Sequence, residues 1–149
     1  MGGEKSICNN IANIYNQVLH GVSIIITNYE IAEMTKNLIN SFLATKVSFA
    51  NEMKLLCNQL GINYSDMIEI AKNDERIGLS HWDVPGNDGK LGFGGSCFPK
   101  DIQSLVNFAE SVEIDAKVLK AAIETNHKVR PQKDWEKLIN RAVVKKKEL

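Results

Sequence analysis

The sequence predicts a mainly α protein: a helical domain around one long helix, with a short α-β piece at its N-terminus. Three observations carry that prediction. From Glu30 to Leu60 the chain contains neither glycine nor proline, while Ile31, Met34, Leu38, Phe42, Leu43, Val47, Ala50 and Met53 mark a broad apolar face at helical spacing. Shorter stretches downstream repeat that spacing. One run, Val22-Ser23-Ile24-Ile25-Ile26-Thr27, is β-branched and apolar enough to read as a strand.

The elements follow in order. Ile7, Ile11, Ile14, Tyr15 and Val18 share the face of a first helix. The Val22–Thr27 run is apolar on both faces, so as a strand it needs neighbours, and the other candidate is Ala142-Val143-Val144 at the far end. The first 28 residues therefore read as the closing piece of a larger parallel sheet, and Arg141–Val144 as the opening of another such unit. The long helix of some 30 residues spans about 45 Å, a length that joins domains or builds an oligomer. Gly61 closes it, and Asn63 with Asp66 caps a short helix reaching toward Asn73. Asp74 to Lys90 is an aperiodic loop rich in turn formers, of a length that is often functional. A helix with Ile102, Leu105, Val106 and Ala109 inward comes next. Another starts at Glu113-Ile114-Asp115 with Val118, Leu119, Ala122 and Ile123 inward, is interrupted by Pro131, and is followed by a last turn anchored by Trp135 and Leu138.

Composition bounds the function. Of 149 residues, 44% are hydrophobic and 24% charged, enough for one domain with a real core. Eighteen basic and eighteen acidic side chains cancel, so no overall field draws the chain to nucleic acid or an anionic membrane. No apolar run approaches the roughly 20 residues that cross a bilayer, no signal-peptide core opens the chain, and the expected location is the cytoplasm. Cys8, Cys57 and Cys97 form no CxxC pair, which fits a reducing compartment; Cys8 and Cys57 lie in helical patterns as packing residues. Lys145-Lys146-Lys147 reads as a solvated tail.

Chemistry concentrates in Leu91-Gly92-Phe93-Gly94-Gly95-Ser96-Cys97-Phe98-Pro99-Lys100-Asp101. Gly92, Gly94 and Gly95 free the backbone for a close approach, and Pro99 suits the first position of the helix that follows. Cys97 then stands just ahead of a helix N-terminus, where unpaired N–H groups and the helix dipole favour a nucleophilic thiolate. Asp101, about one turn on, can handle a proton or a water. Cys97 could instead be a small buried residue of a tight turn, but the glycines, the proline and the acid together favour the chemical reading.

Other residues are less decided by spacing. Lys36 and Asn40, four apart on one face of the long helix, make either an oxyanion clamp beside a thiolate or an ordinary solvated pair. Arg76, within Asp74-Glu75-Arg76, is either neutralised by its neighbouring acids or presented to a phosphate or sugar hydroxyl. His20, His81 and His127 lack metal-ligand spacing, so no metal is expected; His81, beside Trp82 in the loop, is the one of the three best placed to matter. The glycines match neither a dinucleotide fingerprint nor a phosphate-binding P-loop.

The stretch from Gly92 to Asp101 resembles the active-site signature of the UDP-glucose/GDP-mannose dehydrogenase family. Glu33 to Lys46 is similar to that family's long central helix, and Asp74-Glu75-Arg76-Ile77-Gly78 to its loop before the cysteine. The resemblance implies three parts: residues 1–28 as the remnant of an NAD-binding Rossmann domain, 29–140 as the helical domain that carries the cysteine and forms the homodimer through its long helix, and 141–149 as the start of a nucleotide-sugar-binding domain or a tail. It implies that the main NAD-binding domain lies outside this chain, which alone is then too short for activity.

The reaction implied oxidises the C6 alcohol of UDP-glucose to a carboxylate, with two hydrides passed to NAD, for polysaccharide precursors. GDP-mannose or an N-acetylated UDP-sugar are the alternative substrates, and a stand-alone helical dimerisation module is the alternative without catalysis. By resemblance Cys97 attacks the intermediate aldehyde, Lys36 and Asn40 steady the oxyanion, and Asp101 orients water. Lys90, Leu91, Gly92, Phe93, Gly94 and Gly95 lie along the nucleotide sugar, Arg76 reaches the substrate of the partner subunit, and Cys97, Phe98, Pro99 and Lys100 border the nicotinamide.

Overall fold

Apolar side chains at helical spacing produce five α-helices among the described residues: α1 (Lys5–Val18), α2 (Tyr29–Leu60), α3 (Tyr64–Ala71), α4 (Cys97–Ser111) and α5 (Lys117–Val129). Short 3₁₀ turns form at Glu75–Ile77 and Asp134–Lys137. The computed structural model describes residues 1–143, so Val144, the lysine run and most of the segment 141–149 fall outside them. Two compact units are resolved, Met1–Ile39 and the residues from Asn40 onward.

In the first unit the expected strand does not form. Val22–Ile26 has no regular structure, and Thr27 makes one parallel bridge, to Gly2. The Met1 ammonium donates to the Ile25 carbonyl at 2.7 Å, and Gly3 N–H to that of Thr27 at 3.1 Å. An apolar strand needs partners on both sides, and among the described residues the one bridge this run makes is to Gly2. The shared apolar face of α1 is left uncovered among the described residues. Ile7, Ile14 and Val18 are exposed, while Cys8 and Ala12 are the buried residues. Asn28 starts α2, its side-chain oxygen accepting from Ile31 N–H at 2.9 Å.

The second unit is organised by α2. Its inward residues there are small or polar, Ser41, Ala44, Ser48, Ala50 and Asn51, while the large Phe42 and Phe49 face out. Of the face expected to be apolar, Ala50 is buried and Val47 and Met53 pack against the core, but Phe42 is exposed, because close approach of neighbouring elements selects small side chains over large ones. Ser48 donates to the Ala122 carbonyl of α5 at 2.7 Å. Gly61 ends α2 with φ +69°, Ile62 N–H bonding Cys57 O and Gly61 N–H bonding Asn58 O. Asn63 caps α3 by accepting from Ser65 N–H at 3.0 Å.

Two core clusters result. Ala50, Cys57, Tyr64, Ile68 and Trp82 form one; Ala44, Phe93, Ile102 and Ala122 form the other, with Val47, Phe98, Leu119 and Ile123 packed against it. α4 carries Ile102 and Val106 inward as its spacing predicts. In α5 the start is at Lys117, later than expected, and Val118 points outward at 70% exposure. Val143 makes one bridge, with Ile139, instead of a strand.

Candidate active site

The glycine loop is placed by side chains from two helices. Gly92 N–H donates to Asn51 Oδ1 of α2 at 3.1 Å. The Asn126 side chain of α5 accepts from Phe93 N–H at 2.7 Å and donates back to Phe93 O at 3.0 Å, satisfying both polar groups of one residue. Two glycines are required by what lies behind them. A Cβ on Gly92, already at φ +68°, would stand 2.3 Å from Asn126 Oδ1, and one on Gly94 2.4 Å from Arg130 Nη2.

The chain then enters α4 at Cys97, so the helix begins two residues earlier than expected and takes the cysteine as its own first residue, with Ser96 as the preceding cap residue. Pro99 is correspondingly third in the helix and not first. It is tolerated because the first turn's N–H groups have no partners in any case. Cys97 is exposed, whereas Cys8 and Cys57 are buried as packing residues. Ser96 Oγ lies 3.9 Å from the Cys97 sulfur. One turn along α4, Asp101 is 1% exposed and accepts from Asn40 Nδ2 at 2.5 Å and from the Lys100 ammonium. Lys36 lies four residues before Asn40 in α2, within the first unit.

A cleft of about 500 Å³ runs along the loop, lined by Gly92, Phe93, Gly94, Gly95 and Phe98 and faced by His81, Asp83 and Asp88. Phe98 lines it and Cys97 does not. His81, at φ +67°, rests against Phe98 with centroids 5.7 Å apart. Lys90 turns to Asp134, its ammonium 2.6 Å from Oδ2, and Leu91 is exposed. Arg76 is 88% exposed in its side chain and folds onto Asp74, Nη2 meeting Oδ2 at 2.5 Å. Hydrogen bonds from Arg76 hold the Asp74 carboxyl below its ordinary range.

Sequence reasoning missed the residues that hold this frame. Arg130, 2% exposed, donates through Nε to Asp134 at 2.7 Å and through Nη2 to Asp88 and Asp134, both at 2.8 Å. Arg130, and after it Lys90, holds the Asp134 carboxyl well below the usual carboxylate range. Lys46 is buried, its ammonium donating to the carbonyls of Ile77 at 2.8 Å and Gly78 at 3.4 Å and lying 4.5 Å from the Trp82 ring centroid; burial pushes its pKa down. The sequence did hold one signal. Asn51 and Asn126 occupy inward positions beside Ala50 and Ala122, where an amide is costly unless bonded.

Fold and site together are those of a helical domain that presents an accessible cysteine at the start of a helix beside a glycine-lined cleft. The chain belongs to the UDP-glucose/GDP-mannose dehydrogenase family, matching its central domain over residues 30–128. It is 47% identical over 111 residues to a UDP-glucose 6-dehydrogenase of Rickettsia typhi, an alignment covering 74% of this chain and 24% of that protein. A UDP-glucose 6-dehydrogenase of Bacillus subtilis is 42% identical over 107 residues, 72% of this chain and 22% of that one. The structure of a UDP-glucose dehydrogenase from the hyperthermophilic archaeon Pyrobaculum islandicum superposes with a TM-score of 0.75 at 33% identity, covering 85% of this chain and 28% of that chain. The chain thus spans about a quarter of the length of these relatives. Among the described residues no helix is long and apolar enough to cross a membrane.

Proposed function

We propose that this chain supplies the cysteine centre of a nucleotide-sugar 6-dehydrogenase that oxidises C6 of UDP-glucose to the carboxylate. The observation that carries this reading is the accessible Cys97 at the first position of α4, one turn before a buried Asp101 bonded to Asn40. In the proposed chemistry the Cys97 sulfur adds to the C6 aldehyde, placing negative charge on the former carbonyl oxygen. Asn40 Nδ2 has a second hydrogen beyond the one given to Asp101 and offers it to that oxygen, with Lys36 adding positive charge from the same helix. At the later acyl-sulfur stage Asp101 orients the water that releases the carboxylate and returns the Cys97 sulfur.

NAD supplies the hydride acceptor when bound. The described residues do not fit a dinucleotide by themselves: no strand forms among them, so no strand-turn-helix cradle is built for a pyrophosphate. Cys97, Phe98, Pro99 and Lys100 are accordingly proposed only to border the nicotinamide, and residues 1–28 to adjoin the domain that holds it. The sugar nucleotide lies along Lys90–Gly95, Arg76 reaches the substrate of a partner subunit, and residues 141–149 are the start of a domain that adds to nucleotide-sugar binding, or a tail.

A haloketone tethered to UDP should alkylate Cys97 faster than plain haloacetamide does, and UDP-glucose should slow it, read by peptide mass spectrometry. Equal rates without protection would overturn the reading. A second reading, a helical dimerisation module without catalysis, is favoured by Phe42, Leu56 and Leu60, which stand 63%, 50% and 62% exposed on α2. Sedimentation separates the cases: a tight dimer lacking that protection supports the module, and a monomer removes it.

A further inference from the structure

We propose that Asn126 and Arg130 of α5, with Asn51 of α2, are positioning residues that fix the glycine loop and thereby set where the Cys97 sulfur stands. The inference rests on reading Cys97 as the nucleophile, and it concerns residues that touch neither the sulfur nor the cleft.

Three successive loop residues are each engaged from behind. Gly92 gives its N–H to Asn51, and Phe93 exchanges both backbone groups with Asn126. Gly94 lies so close to Arg130 that a single added carbon would stand 2.4 Å from Nη2. Gly95, at φ +70°, then turns the chain into Ser96 and Cys97, so little freedom remains between the last fixed residue and the sulfur. Asn51, Asn126 and Arg130 are all at most 2% exposed.

Chemistry argues that this arrangement does more than fill space. A buried amide is costly unless its donors and acceptors are used. Asn51 uses both its oxygen and its nitrogen, accepting from Gly92 and donating to Val47 O at 2.8 Å, and Asn126 spends its oxygen and its nitrogen on one loop residue. Apolar side chains would pack these helix faces without that cost, but they could not bind a glycine loop's backbone. Arg130 adds a strut, joining Asp88 of the preceding turn to Asp134 behind the loop, so that both flanks of Gly92–Gly94 refer to one guanidinium.

The test uses the full chain and plain haloacetamide, which needs no bound sugar nucleotide. Buried Cys8 and Cys57 report unfolding, while Cys97 reports its own surroundings. In Asn126→Ala, hydrogen exchange at the Phe93 amide should quicken by about tenfold or more. Cys97 alkylation should fall about fivefold, because the exposed sulfur gains little access while the ordered amides at the start of α4 loosen. Cys8 and Cys57 should stay slow. Asn51→Ala, which frees only Gly92 N–H, should give the same pattern about half as large. Faster alkylation of all three cysteines in both variants, or unchanged Cys97 reactivity despite a released Phe93 amide, overturns the inference. Failure of UDP-directed labelling in the unaltered chain, with the haloacetamide pattern intact, would instead remove the dehydrogenase reading and leave the clamp standing.

Discussion

The loop before the cysteine and the loop that bears it are held in different ways. Asp74–Trp82 is fastened at its carbonyls: Lys46 reaches those of Ile77 and Gly78, Trp82 Nε1 also donates to Gly78 O, and Tyr64 Oη donates to Trp82 O at 2.7 Å. Leu91–Gly95 is fastened at N–H and C=O alike, by side chains fully inside the protein. In the first loop these fastening points leave the Arg76 guanidinium exposed, paired locally with Asp74 of its own turn. In the second they fall on the residues immediately before Cys97. A group fixed by its own domain is prepared before any ligand arrives, whereas an outward arginine gains its geometry from what it meets.

Breaking the strut behind the cysteine loop should have the largest effect. Arg130→Met leaves the Asp88 and Asp134 carboxylates without their shared cation. Removing one partner of a buried pair costs about 3–5 kcal/mol, and the 49% and 25% exposure of these carboxylates reduces that to about 2–3 kcal/mol. Chemical denaturation should show this as a lower midpoint at unchanged slope. A loss no greater than that of a surface substitution would mean that the cysteine loop is no better fixed than its neighbour.

An intermediate effect, visible in alkali, tests the Arg76 loop. Tyr64 is 2% exposed, and burial, then the nearby Asp83 charge, push its phenol up to about 12. Since the folded value lies above the ordinary phenol value of about 10, the contribution of Tyr64 is complete below that pH and is lost as pH rises toward 12. Alkaline unfolding should therefore set in over this interval, with a tyrosinate signal near pH 12 that Tyr64→Phe abolishes. That variant should also lose about 1 kcal/mol at neutral pH, from the Trp82 carbonyl it leaves unpartnered. If the part of the tyrosinate signal that Tyr64→Phe removes lies at pH 10 instead, the loop admits water freely.

The features legible in the sequence were those fixed by neighbours along the chain. The extent of α2, its glycine stop, the Asn63 cap and the inward face of α4 each depend on residues within a few positions of one another. The first-unit errors have a different origin. Periodicity located an apolar face on α1 and an apolar run at Val22–Thr27, but periodicity does not state that a partner for either is present, and Ile14 and Ile25 stand 63% and 73% exposed. Cys97 and Asp101 could be picked out because glycine, proline and acid cluster within one short stretch. The clamp behind them could not, since Asn51 and Asn126 meet the loop across separations of 41 and 33 residues. Arg130 was harder still. A lone arginine before a proline looks solvated until a fold brings Asp88 against it.

The smallest expected effect on stability belongs to Arg76→Ala, and it is the most informative about the contrast between the loops. The guanidinium is exposed and its ion pair with Asp74 is local, so solvent screens most of what the pair could contribute. The turn at Glu75–Ile77 keeps its cap, because Asp74 Oδ1 accepts from the Arg76 backbone N–H at 3.0 Å, a bond that alanine retains. The denaturation midpoint should consequently be indistinguishable from that of the unaltered chain, while labelling of Cys97 by the UDP-tethered haloketone should weaken and labelling by plain haloacetamide should not. That split requires Arg76 to act on a ligand and not on the fold. A midpoint lowered as far as in Arg130→Met would place Arg76 among the groups that hold their own domain together, and the distinction between the two loops would be lost.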